Sequence, residues 1–436
     1  MVVGENMAGY QSIRVVITGI GVVSPIGIGK DAFWRSLREG RSGVDFLQSI
    51  PADSLPSPYA AEVSDFDPRD HLRDLKFLKV MSRGMQLGVS SASLAMKDSG
   101  IGDGDIDPER LGVSFGAGRI STTPDEVADA VEKSSENEGQ FRYTRWGEDG
   151  MGSIAPLWLL RRLPNMPAAH VSIDHDARGP NNTITCRDSS ALLALAEATR
   201  IIERGAADCM IVGACSSNLQ PVDLAKLNLF EGLTRRRNTD PHRAVRPFDF
   251  NRDGTILGEG AGSFVIERYE HAKARGAKIY AEVVGIGAGC DGTGYWNGAG
   301  GTGLVHAIRN AMQRGDLNPR EIGHINAHGK STQRDDLVEA RAYHKAFGNL
   351  AERIPVTALK SYFGHFDAGS GAVEMVGSLL ALEHGELPAT LNYESPDPRC
   401  RLNVVHEAPM RLKNRTALTV NRTAMGQSAA AIFRSI

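Results

Sequence analysis

The sequence predicts an α/β protein in which helices cover sheets of fully buried strands. Three observations carry that prediction. Runs such as Leu111–Gly118 and Cys209–Val212 are too continuously apolar for strands with one wet face. Segments with helical spacing alternate with them along the whole chain. A strand end running into a loop with a polar residue recurs at 184–188, 325–328 and 357–365, and such strand ends are where α/β folds assemble sites. The recurrence hints at a duplicated architecture, and 436 residues suffice for two large halves.

In chain order, residues 1–12 read as a loose tail. An apolar strand and a Gly-rich turn at 13–27 lead to a helix at Asp31–Glu39. Gly19-Ile20-Gly21 lacks the third glycine of a dinucleotide fingerprint, so it reads as a strand-to-loop turn. Residues 44–75 are irregular, Phe77–Asp98 has the spacing of a long helix, and Leu111–Gly118 that of a buried strand. A polar excursion at 119–152 precedes an expected helix at Ile154–Leu163.

The stretch 179–217 organises the chain. It reads as a strand end, a tight turn, a helix opened by Asp188, Ser189 and Ser190 and stopped by Gly205, then the strand at Cys209. A helix entered this way offers unpaired N–H groups and a positive dipole end. Further helices are expected at Thr302–Arg314, Asp335–Phe347 and Gly371–Glu383, and closing strands at Ala417–Asn421 and Ala429–Phe433.

The composition excludes several classes. A net charge of -3 with no long basic run argues against a nucleic-acid binder. Arg235, Arg236 and Arg237 form a short cluster that reads as a solvated loop, or, less simply, as a patch for an acidic carrier protein. Cys186, Cys209, Cys215, Cys290 and Cys400 are an odd count without C-x-x-C spacing, so neither a disulfide framework nor a metal site is expected. The N-terminal residues lack a signal-like apolar core and no run approaches a membrane span, so a cytoplasmic protein is expected.

Eight motifs together carry a resemblance: VVITGIGVVSPIG, RLPNMPAAHVSI, RGPN, RPFDFNRDGTILGEGAG, HAKARGAKIYAEVVG, NAHGKST, ALKSYFGH and GSGAVE. The chain resembles the elongating β-ketoacyl-acyl-carrier-protein synthases of the thiolase superfamily from Arg14 to Phe433. The resemblance implies a thiolase-like α/β fold, a duplicated five-layer α-β-α-β-α sandwich. The tail 1–12 would precede an N-terminal half at 13–272 with insertions and a C-terminal half at 273–436. It also implies fatty-acid or polyketide assembly, a homodimer or heterodimer with another synthase, and substrates carried on the phosphopantetheine of acyl carrier protein. No covalently bound cofactor is implied.

By motif, His328 and His365 match the family's two histidines and Lys360 its lysine. Glu374 matches an acid that orients the lysine, and Glu339 a structural acid. Imidazole donors can polarise a thioester carbonyl and stabilise the enolate left by loss of CO2. The nucleophilic cysteine of the family falls on Asp188 when counted without gaps from Gly179-Pro180-Asn181, and the count onward to Gly205 also fits. Cys186, two residues earlier, reads as a small buried apolar residue.

Lys330 stands where the family has a threonine that bonds pantetheine, while Ser331 and Thr332 keep the rest. In the C-terminal loop Thr423 and Met425 replace two phenylalanines ahead of Gly426. Lys330, Thr332, Met425 and Gly426 are therefore the expected substrate contacts. Asp188 is expected to be ionised and paired with Lys330, Lys360, His328 or His365, which would raise the histidine pKa values and lower its own. Three functions follow: a non-elongating variant such as a malonyl-carrier decarboxylase, as in relatives with glutamine at this position; a non-catalytic partner like a chain-length factor; or an ordinary synthase using Cys186.

Overall fold

The computed structural model describes residues 13–436 except 52–54, 56, 137–138, 231, 236–239 and 293–299. The expected tail, with Arg236 and Arg237, lies outside the described residues. Ten principal strands carry the fold: β1 Val15–Ser24, β2 Leu111–Ala117, β3 Asn181–Ile184, β4 Cys209–Ser217, β5 Leu257–Arg268, β6 Ala281–Cys290, β7 His324–Asn326, β8 Pro355–Thr357, β9 Thr416–Arg422 and β10 Gln427–Arg434. The main helices are α1 Arg83–Ser99, α2 Met166–Asp174, α3 Ser190–Glu203, α4 Thr302–Arg314, α5 Gln333–Phe347 and α6 Ala368–His384.

The duplication is plain in the strand order. The N-terminal half runs β3-β2-β4-β5-β1 and the C-terminal half β8-β7-β9-β10-β6, which is the same order of strands within each half. Orientations match as well: the last three strands of each half pair antiparallel and the first three parallel. The halves join where β1 meets β6 antiparallel at Val16 and Ile17.

Three apolar clusters make five layers. Leu87, Val89 and Ala92 of α1, with Val171 of α2, pack on one face of the first sheet. Leu304 and Ile308 of α4, with Ala340 and Tyr343 of α5, pack on the far face of the second. Between the sheets lie Leu192, Leu195 and Ala198 of α3 against Val373, Val376 and Leu379 of α6. Both faces of each sheet are thus covered, which is why the strands read as unbroken apolar runs.

Most expected elements form within a few residues of their predicted bounds, and two do not. The expected helix at Ile154–Leu163 is a 3₁₀ turn at Trp158–Arg161, and the α-helix begins at Met166. Pro156 and Pro164 break the first stretch, whereas Pro167 sits in the first turn of α2, where no N–H is required. The expected long helix at Phe77–Asp98 divides into a 3₁₀ turn, Leu75–Val80, and α1 starting after Ser82.

Gly19-Ile20-Gly21 proves to be a packing device inside a long strand. A Cβ on Gly19 or Gly21 would collide with the carbonyl oxygens of Ala95 or Ser91 on α1. The equivalent strand β6 repeats Gly285-Ile286-Gly287, whose missing Cβ atoms admit the Ala311 and Ala307 carbonyls of α4. In both strands the ladder register shifts immediately before the first glycine. Gly287→Ala is expected to destabilise the protein by about 1–3 kcal/mol through forced repacking. Gly300→Ala, in open space, should stay within about 0.5 kcal/mol; denaturant unfolding of both variants checks the contrast.

Candidate active site where two helix N-termini meet

Asp188 lies in a 3₁₀ turn, Arg187–Ser189, that follows β3 and leads into α3. His365 lies in the connection before α6. Its backbone is fixed to the start of β5 by Ile256 and Gly258, at 2.9 and 3.1 Å. Because α3 and α6 pack together in the middle layer, their N-terminal approaches meet. Asp188 Oδ1 there makes a short hydrogen bond with His365 Nε2.

Burial disfavours the Asp188 carboxylate, but His365, then Lys330 and His328, outweigh it and hold the group well below the usual range. An ionised carboxylate only accepts, so the proton of this bond resides on His365 Nε2. Of the four expected cations, the hydrogen bond goes to His365, while Lys330 acts on Asp188 through its charge.

His328 follows β7 in a loop fixed by Glu339 of α5. The two Glu339 oxygens accept the N–H groups of His328 and Gly329 at 2.7 and 2.8 Å. Lys360 Nζ lies 3.2 Å from His328 Nδ1 and 2.7 Å from the His328 carbonyl, and it pairs with Glu374 Oε1. Asn421 donates to Glu374 Oε2 at 2.6 Å. Lysine occupying Nδ1 places the His328 proton on Nε2. Burial and then Lys360 push this histidine well below its ordinary pKa, so the expected rise in histidine pKa does not occur at His328. The His328 and His365 rings stand 6.4 Å apart, edge to face.

The structure thus gathers Asp188, His328, Lys360, His365 and Glu374 into one network. Lys330 is buried beside it, near enough to influence Asp188. Thr332 has another duty: its hydroxyl caps α5 by accepting the Asp335 N–H at 2.9 Å. Met425 is half exposed in the β9–β10 turn, and Gly426 has φ 91° there, a conformation suited to glycine.

Cys186 departs from the expected buried apolar role. It is half-buried, and burial, followed by Asp188, Cys290 and Asp367, pushes its thiol up. Sequence reasoning missed Asp367 altogether. Its φ of 54° and that of Arg187 at 48° place two non-glycine residues in the left-handed region on either side of the Asp188–His365 contact. Arg187 Nε donates to Asp367 Oδ1 at 3.1 Å.

The comparisons with known proteins agree with this architecture. The N-terminal domain model of β-ketoacyl synthases matches residues 12–272 and the C-terminal domain model matches 280–394. The chain belongs to the β-ketoacyl synthase family. A 3-oxoacyl-[acyl-carrier-protein] synthase 2 of Coxiella burnetii is 36% identical over 93% of this chain and 94% of its own. An actinorhodin polyketide putative beta-ketoacyl synthase 1 of Streptomyces coelicolor is 36% identical over 97% of this chain and 88% of its own. The solved ishigamide ketosynthase/chain length factor superposes with a TM-score of 0.86 at 28% identity, covering 98% of this chain and all of that one (100%). No helix among the described residues of this synthase homologue is long and apolar enough to cross a membrane.

Burial raises the Glu374 carboxyl to about 7, against the pull of Lys360 and Asn421. A carboxyl raised on folding holds its proton longer in the native state. Its contribution to stability is therefore full below its ordinary value and is lost as pH rises to about 7. Glu374→Gln removes that dependence, so the stability of the variant relative to the parent should rise by about 2–3 kcal/mol from pH 4 to pH 8. Denaturant melts at both pH values measure it.

Proposed function

We propose that this chain handles acyl-carrier-protein thioesters without forming an acyl-enzyme, and that its chemistry is the decarboxylation of a malonyl thioester. The observation that carries the reading is the Asp188–His365 hydrogen bond at the position where an elongating synthase has its cysteine. An ionised carboxylate is a poor nucleophile toward a thioester, and the anhydride it would form is less stable than the donor. Cys186 is no substitute, because its acidic neighbours and its burial disfavour the thiolate that would attack.

Decarboxylation needs no nucleophile. The bond between the malonyl Cα and its carboxylate breaks, CO2 leaves, and the electron pair enters the thioester as an enolate. Protonation at Cα then gives the acetyl thioester. His328, neutral with its proton on Nε2, supplies a donor for the enolate oxygen. Lys360 and Glu374 hold that imidazole in place and act as positioning residues. Phosphopantetheine on acyl carrier protein would deliver the substrate. Cytoplasmic fatty-acid or polyketide assembly is the setting.

A second reading, a non-catalytic partner in a heterodimer, has its own support. Asp188, His328, Lys330, Lys360 and His365 are each 2% exposed or less, so the site is closed in this state. The chain also superposes on a ketosynthase/chain length factor.

Incubation with malonyl-acyl carrier protein, alone and with an acyl-acyl carrier protein, separates the readings by product analysis. Acetyl carrier protein without a β-keto product is expected, at the same rate in Cys186→Ser. A β-keto product would overturn the proposal, and no reaction at all would favour the partner role.

A further inference from the structure

Asp188, His365 and Asp367 are buried side chains whose ligand atoms all lie within 4.8 Å of one another. We propose that this trio is a binding site for a first-row divalent cation such as Zn2+, a site that neither the cysteine spacing nor the family resemblance announces. The cation would take the place of the Asp188–His365 hydrogen bond, and the test below reads binding, not turnover.

The donor set suits the ion. One imidazole nitrogen and two carboxylate oxygens are common ligands of zinc, at about 2.0–2.2 Å from the metal. Asp188 Oδ1 and His365 Nε2, hydrogen-bonded to each other without the ion, would part to admit it. His365 would yield Nε2 to the cation and carry its proton on Nδ1, and the two carboxylates would neutralise the double positive charge.

The chain geometry turns these groups toward one point. His365 and Asp367 are two residues apart, and Phe366 between them packs into the core, with its ring 5.5 Å from that of Phe363. Arg187 Nε donates to Oδ1 of Asp367, which orients the carboxylate in the manner of an outer-sphere partner.

A separate observation places a small cavity next to Asp367. Gly118 and Ser216 line a cavity of about 40 Å³, together with Ala117, Cys215 and Arg119. Asp367 Oδ2 lies against that cavity wall: a methyl group on Gly118 would stand 2.9 Å from Oδ2 and 3.1 Å from Ser216 Oγ. The volume exceeds the roughly 10–15 Å³ that one water needs. Three protein ligands leave the fourth position of a tetrahedral ion for a small molecule.

The test uses the full chain, stripped with a chelator and titrated with Zn2+ by calorimetry. Co2+ serves as a spectroscopic probe and Cys290→Ser removes the exposed thiol. One cation per chain is expected, with binding retained in Cys290→Ser. Asp367→Asn and Asp188→Asn should each weaken it at least tenfold, and Arg187→Gln, which breaks the ion pair but spares the ligands, should weaken it less. Circular dichroism confirms that each variant is folded; if one is not, the other carboxylate variant decides. Absence of stoichiometric binding, or binding unchanged in the folded carboxylate variants, overturns the proposal.

Discussion

The contact between α3 and α6 is the constraint on which the site depends. These helices hold the same place in the two halves, each leading from the third strand to the fourth, and they pack on each other between the sheets. Their N-terminal approaches converge, so the residues just before each helix, Asp188 on one side and His365 to Asp367 on the other, are brought into contact although 177 positions separate Asp188 from His365. Each positive helix end favours a carboxylate by typically 0.3–1 kcal/mol. That convergence suits the buried carboxylate of Asp188.

Around that junction the fold supplies rigidity from buried polar pairs. Glu339 of α5 braces the His328 loop through two backbone N–H groups, and Glu374 of α6 braces Lys360. Neither acid needs to touch substrate to matter. Each leaves a buried charge or donor unpaired when removed, which is costly in a low-dielectric interior. The hydrogen bonds that orient His328 come from Glu339 and Lys360 and do not involve position 188.

Much of this was legible in the sequence. The buried strands, α4, α5, α6 and the turn into α3 follow from apolar patterning and helix-start residues, and the motif register placed Asp188 beside the histidines. What the sequence hid was long-range or conformational. The glycine pair in β1 looked like a turn because its role, admitting the backbone of α1, depends on a helix some 70 residues away. Its counterpart at Gly285 and Gly287 went unnoticed for the same reason. Asp367 sits in an unremarkable stretch before a helix, and only the fold brings it to Asp188. The choice of His365 as partner, and the fall rather than rise of the His328 pKa, are set by burial and by Lys360, neither of which a motif encodes.

The central claim is that Asp188 ends covalent acyl transfer while leaving the surrounding machinery in place. Intact-protein mass spectrometry after incubation with an acyl-acyl carrier protein tests it most directly, with Asp188→Cys as the comparison. The account predicts no added mass on the native chain and an acyl adduct on the Asp188→Cys variant. A stoichiometric acyl group on native Asp188 or Cys186 would contradict it.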